Sequence, residues 1–206
     1  MTKRISILAL LFIILSCSLF DEEEEKADDP QGIEINPGDD IQSIVNANPA
    51  GSTYILKSGL HRMQEIWPQE GDTYIGEDGA ILNGSFLLTE FEQEGGLYYA
   101  PDQTQQGGDH GDPYVCPEGW ERCDYPEVLY IDDEPLRHMT SLEDVVSGSY
   151  FFDYDAERIY YADEPDGKKV KTSITDLAFC FSASHVTIKN RRVEKYANHN
   201  DWGAVG

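Results

Sequence analysis

Positive charge is scarce in this sequence: Lys and Arg number 15 against 39 Asp and Glu, a formal net charge of −24. A surface this negative repels phosphate backbones, which excludes nucleic acid as a partner. Long apolar runs are also missing, since the stretch 5–15 falls short of the roughly 20 residues a membrane-spanning helix needs. The chain holds no phosphate-binding GxxxxGK[ST] loop, no HExxH and no GxSxG elbow, so nucleotide, zinc-protease and serine-hydrolase chemistry have no motif to rest on. No second Cys or His pair stands at ligand spacing, which argues against a zinc site. Helix signals are few.

What is present begins at the N-terminus. Lys3 and Arg4 precede the apolar run, and Ser16 and Cys17 close it, the layout of a secretory signal over residues 1–16. Ile14, Leu15, Ser16 and Cys17 resemble the bacterial lipoprotein box, with an aliphatic residue at −3 and a small one at −1. That resemblance implies a diacylglycerol on the Cys17 thiol, cleavage before it, and attachment to a membrane through the lipid. The expected location is the bacterial cell envelope, facing periplasm or exterior. Residues 17–32 include Asp21 followed by Glu22, Glu23, Glu24 and Glu25 and almost nothing apolar, so they read as a disordered acidic tether. Without Lys3 and Arg4, 13 basic residues face 39 acidic ones, a formal charge of −26. Such a surface serves solubility first, and suits divalent cations or neutral and basic ligands second.

Three further cysteines divide into two kinds. Cys116 and Cys123, with six residues between them in a loop-like segment, are expected to form a local disulfide in an oxidising compartment. Cys180 lies in the apolar run 177–181 and reads as a buried free thiol.

The folded part, from about Ile33 onward, has the length of one ordinary domain. One helix is expected near 37–46, where Asp39 or Asp40 caps and Ile41, Ile44 and Val45 form an apolar stripe. The rest is short strands between Gly, Asn and Asp turns. Residues 51–59 (GSTYILKSG) match residues 71–79 (GDTYIGEDG) at five of nine positions, 20 residues apart. A period of that size with one short strand per face suits a coiled parallel sheet, in which each turn buries its inward side chains against the next. Residues 80–84 supply a second strand of the same coil, and 186–189 return to the pattern with Val186 and Ile188 inward before Asn190 turns a corner. Between 96 and 175 the period is lost. Two hairpins are expected there, one across Asp132 and Asp133, the other pairing 149–152 with 158–161, with Tyr150, Phe152, Tyr160 and Tyr161 as cross-strand pairs. The domain reading is therefore a cap and first coils over 33–96, a β-hairpin insertion over 97–175, and a further coil over 176–206. An immunoglobulin-like sandwich is the rival fold, but it needs regular hairpins through 33–90 where the repeat argues for stacking.

Residues 37–42, 51–62 and 68–84, followed by 159–165 and 186–198, resemble successive stretches of bacterial right-handed parallel β-helix proteins of the pectate-lyase-like superfamily. The resemblance implies an all-β fold, a right-handed parallel β-helix with an N-terminal cap helix and a β-rich insertion. It is specific for fold and weak for activity, because these folds serve polysaccharide lyases, glycoside hydrolases, adhesins and others. It implies a polysaccharide partner, a monomer, and, for a lyase, a base together with a uronate neutraliser that is often Ca²⁺ held by carboxylates. Such helices normally run for more coils, so the expectation is an N-terminal piece of a longer protein or a truncated gene, inactive alone.

No catalytic set can be picked out. Acidic pairs such as Asp132 with Asp133, Asp153 with Asp155, and Asp163 with Glu164 are what composition and turns supply anyway. The histidines default to surface or structural roles, except that Lys195, Tyr196, His199, Asp201 and Trp202 combine a cation, aromatics and hydrogen-bonding groups, the mix that contacts sugar rings and hydroxyls. The competing reading of 198–201 is a polar corner between coils.

Overall fold

The computed structural model describes residues 31–105, 116–180, 183–198 and 203–205. They form an all-β protein with a single short α-helix among the described residues. That helix, Ile41–Asn46, starts where Asp40 accepts the Ser43 amide in its carboxylate, and its Ile41 and Val45 are fully buried. No described helix is long and apolar enough to cross a membrane.

Two sets of strands share the chain. In the first set every pairing is parallel. Ile33–Ile35, Thr53–Leu56, Thr73–Gly76 and Thr187–Lys189 make one sheet; Gly59–Arg62, Ala80–Asn83 and Arg192–Glu194 make a second. Isolated parallel bridges join Ile66 to Phe179 and Phe179 to Val205. The 20-residue repeat is the register itself: Thr53 lies beside Thr73 and Tyr54 beside Tyr74. Alternation along each short strand then sends one set of side chains into a common interior. Ile35, Leu56, Ile66, Leu82 and Phe179 meet there around Tyr54 and Tyr74.

The turn before Tyr74 explains why the repeat keeps a polar residue inside. Asp72 is fully buried, yet its carboxylate accepts the amides of Gly51 (3.0 Å), Ser52 (3.1 Å) and Gln69 (2.9 Å) and the Tyr74 hydroxyl (3.2 Å). Those donors offset the loss of water and tie one rung to the preceding one. Asn190, expected at a corner, adopts a left-handed φ of 51° between the strands of the last rung.

Strands from Ser85 to Ser173 pair only among themselves. Ser85–Leu87, Leu129–Ile131, Glu134–Pro135 and Val170–Ser173 form one sheet, antiparallel throughout. Asp132 and Asp133 turn its tight hairpin with φ of 50° and 73°, the left-handed pair that a two-residue loop of type I′ requires. The expected second half of that hairpin continues elsewhere: Arg137–His138 crosses to another sheet and pairs in parallel with Ser149–Asp153. There Ser149–Asp153 pairs antiparallel with Arg158–Tyr161, Tyr150 opposite Tyr161 and Phe151 opposite Tyr160. Phe152, Ile159, Tyr161, Leu129 and Val170 form a separate core. Cys116 and Cys123 are joined by a disulfide, with Cα atoms 5.6 Å apart.

Candidate functional site

The outward side chains of the second parallel sheet line up because its strands are in register. Leu60 lies beside Ile81 and Ile81 beside Arg192; Arg62 lies beside Asn83 and Asn83 beside Glu194. Between these two rows, His61 and Leu82 point inward and are fully buried. The rows form one wall of a groove of about 650 Å³, and the Asp132–Asp133 hairpin with Lys169 and Lys171 forms the other.

Charged groups bridge the two walls. Asp133 Oδ1 accepts from the Lys171 ammonium at 2.5 Å and the Lys195 ammonium at 2.8 Å. Those two ammonium groups hold the Asp133 carboxyl well below the ordinary carboxylate range. Burial alone would lower the Lys195 pKa, but the Asp133 and Glu194 carboxylates reverse that and raise it. The Lys195 ammonium also sits 5.3 Å from the centre of the Tyr130 ring, a cation–π distance. Glu194 accepts from the Asn83 amide at 2.8 Å and from Arg192 at 2.8 Å. Arg62 donates to neutral oxygens: the Asn83 carboxamide at 3.3 Å, the Ser85 carbonyl at 3.2 Å and the Ser85 hydroxyl at 3.3 Å.

The residues singled out from sequence fare differently. Lys195 does face the groove. Tyr196 does not: its ring is 7% exposed, packs in the stacked core, and its hydroxyl donates to the Gln64 carbonyl at 2.9 Å. Gly84 is what admits it, since a Cβ at 84 would meet the Tyr196 ring at 2.7 Å. The correction has its cause at Lys195, whose left-handed φ of 57° breaks the alternation that faces Arg192 and Glu194 to the groove, so that Tyr196 packs in the core. Cys17, His199, Asp201 and Trp202 lie outside the described residues, as does His110. His61, expected just after a strand, lies within Gly59–Arg62, with Nε2 2.9 Å from the Lys57 carbonyl. His138 is buried against Tyr150, with ring centres 4.4 Å apart, and meets an Arg122 guanidinium nitrogen at 3.0 Å. Cys180 is a buried free thiol whose pKa burial and the neighbouring Glu65 push up to about 12.

Sequence reasoning missed Arg62, Asn83, Lys171 and Glu194. The usable signal for Arg62 and Asn83 was the alternation in 59–62 and 80–83, and for Glu194 that in 192–194; Lys171 comes from the insertion and carried no such signal. Ca²⁺ does not fit what the described residues offer. No group of three or more His, Cys, Asp or Glu converges among them, and the Asp133 and Glu194 carboxylates are already engaged by cations.

No protein-family profile and no curated protein sequence matches this chain. Among solved structures, one described as the complex of XylC with xylose is similar, with a TM-score of 0.60 at 15% identity over 77% of this chain. A second, described as a glycoside hydrolase, has a TM-score of 0.40 at 10% identity over 70% of this chain and 43% of its own. The first likeness shows a shared fold. The match spans about a third of the XylC chain, 32%.

Proposed function

We propose that the chain is the N-terminal portion of a right-handed parallel β-helix protein, held at the bacterial cell envelope by a lipid on Cys17, that binds or acts on polysaccharide. Three observations support the β-helix reading. The first is the parallel stack of two sheets with a third line of bridges. The second is the 20-residue register of Tyr54 on Tyr74. The third is the fold shared with XylC, a protein described in complex with xylose.

The observation that carries the polysaccharide reading is the groove along the second sheet. One of its walls is made of two in-register rows, Leu60, Ile81 and Arg192 in one and Arg62, Asn83 and Glu194 in the other, one residue per rung. An extended polymer lying along such a wall meets both an apolar and a polar row over successive units. Apolar side chains suit the faces of sugar rings, and amide and guanidinium groups suit hydroxyls.

A second reading, a non-catalytic adhesin or glycan-binding scaffold, draws on a specific feature. Bond cleavage by acid and base needs a carboxyl group that can hold a proton opposite one that can take it. Here Lys171 and Lys195 keep Asp133 ionised, and Arg192, Lys195 and Asn83 occupy Glu194. The described groove is therefore equipped to bind, and any turnover by a longer parent is proposed to use further coils.

Retention of the purified chain on immobilised polysaccharides tests this reading. Retention is expected to fall when Arg62 and Asn83 are both changed to Ala while the melting transition stays cooperative. A chain retained by no polysaccharide overturns the reading. The anchor has its own test: a radioactive fatty acid should label the protein in a bacterial host, and Cys17→Ala should abolish the label.

A further inference from the structure

We propose that the groove takes an anionic sugar chain, one bearing carboxylates or sulfates, and that in the free protein Asp133 occupies the place of the ligand's charge. The inference rests on the polysaccharide reading above and narrows it to a ligand class.

The first observation is where the rare positive charge goes. Five of the chain's 15 Lys and Arg residues, Arg62, Lys169, Lys171, Arg192 and Lys195, line this one groove. Three acids, Asp133, Glu134 and Glu194, line it with them, so it carries a net positive charge in a chain of −24. Two strands of the stack, the segment just after it and the far wall each supply a cation, so no single sequence run accounts for the concentration. A positive groove in a negative protein focuses anions and turns away the protein's own acidic surface.

The second observation is an open seat. Among the described residues the guanidinium of Arg62 is satisfied only by the neutral oxygens of Asn83 and Ser85. Charge-assisted pairs with carboxylate or sulfate are stronger than such neutral bonds, and guanidinium matches both groups in bidentate geometry.

The third observation concerns Asp133. The side chains of Lys171 and Lys195 are 5% and 9% exposed, whereas that of Asp133, which receives both, is 55% exposed. Two nearly buried ammonium groups thus lie beneath a carboxylate that is itself open to water. The carboxylate reaches them from a tight hairpin turn at left-handed φ, on the same wall as Lys171 and across the groove from Lys195. An anion arriving from solvent reaches the lysine pair only by replacing Asp133, whose side chain can rotate away without unpairing the strands that flank it.

The test is titration of the full chain with three soluble oligosaccharides of equal length: a uronate-bearing one, a sulfated one and a neutral xylo-oligosaccharide. At least one anionic chain is expected to bind about tenfold or more tighter than the neutral one, a preference that shrinks as salt is raised. The two anionic arms tell which charged group is preferred. Arg62→Gln is expected to cut anionic binding about tenfold, several times more than it cuts neutral binding. Asp133→Asn is expected to strengthen anionic binding several-fold, by removing the internal competitor. Neutral binding equal to anionic binding overturns the proposal and leaves the polysaccharide reading standing. Absence of binding by all three chains to a folded protein sinks both. Weaker anionic binding in Asp133→Asn overturns the placeholder role. Should that variant fail to fold, the salt dependence of the unaltered chain and Arg62→Gln still decide the ligand class.

Discussion

The ring of Tyr54 lies on the ring of Tyr74, with centres 5.0 Å apart and planes 20° from parallel. Phe179, from the line of bridges, meets Tyr74 edge-on at 5.1 Å, so three aromatic rings fill the middle of the stack. Their contact is a direct result of the parallel register, because only a 20-residue step places the two tyrosines at the same height.

Removing the central ring should therefore be costly. Tyr74→Ala is expected to destabilise the protein by about 3–5 kcal/mol, the range for deleting a buried aromatic ring. Tyr74→Phe keeps the stack and loses only the hydroxyl bond to Asp72, an expected cost of about 1 kcal/mol. Denaturant unfolding of the two variants checks the ratio, and equal losses would mean that the ring contacts contribute little.

Gly84→Ala places a methyl group where the Tyr196 ring and backbone already lie, 2.7 Å away. Overpacking of this kind costs about 1–3 kcal/mol. Alanine at Gly95, whose Cβ would meet nothing within 4 Å, is the comparison: it carries the backbone cost of a left-handed position without the clash. Thermal melts should therefore show that only the Gly84 substitution is partly rescued by Tyr196→Leu.

Cys180 should be silent toward thiol reagents in the folded protein. Its pKa is pushed up to about 12, by burial first and by Glu65 next, so almost no thiolate exists near pH 8. Alkylation followed by peptide mapping is expected to find Cys180 unmodified in buffer and modified in denaturant. Rapid native labelling would mean that this face of the stack opens easily.

Acid should loosen the groove in a defined window. The folded-state pKa of Asp133 is lowered by Lys171 first and Lys195 second. The unfolded chain then binds a proton at higher pH than the folded one, and the stability contributed by this group is fully present above the unfolded value of about 3.9. It is lost as pH falls from there toward the lower folded value. Asp133→Asn should therefore be less stable than the parent at pH 6, with the difference shrinking below about pH 4. A difference that stays constant across that range would mean that the ammonium contacts carry no weight in folding.

Much of the stack could be read from the sequence because it is built from local, repeated rules. Thr53, Tyr54 and Ile55 recur as Thr73, Tyr74 and Ile75, and strands made of the same residues at the same spacing pair side by side. Asp40 as a cap and Asn190 as a corner were legible for the same reason, since each acts on its near neighbours. The groove was not legible, because it depends on the return of distant chain. Lys171 and Lys195 meet at Asp133 although they stand 38 and 62 residues beyond it. Tyr196 misled for a related reason: an aromatic residue beside a lysine suggests a sugar contact until Gly84, from another rung, is seen to leave room for its ring inside.

The carbonyl of Gly84 accepts both the Ile174 amide and the Thr175 amide at 3.1 Å, and Ser85 stands directly opposite Ser173. The chain thus departs from its rung and comes back through a doorway one peptide wide, whatever happens in the intervening stretch. Because the two jambs are fixed to each other, the length of that detour makes no demand on the spacing of the rungs, and loop-closure entropy grows only slowly with it. Evolution can lengthen, trim or exchange the excursion, and with it one whole wall of the groove, while the scaffold that carries the other wall stays untouched.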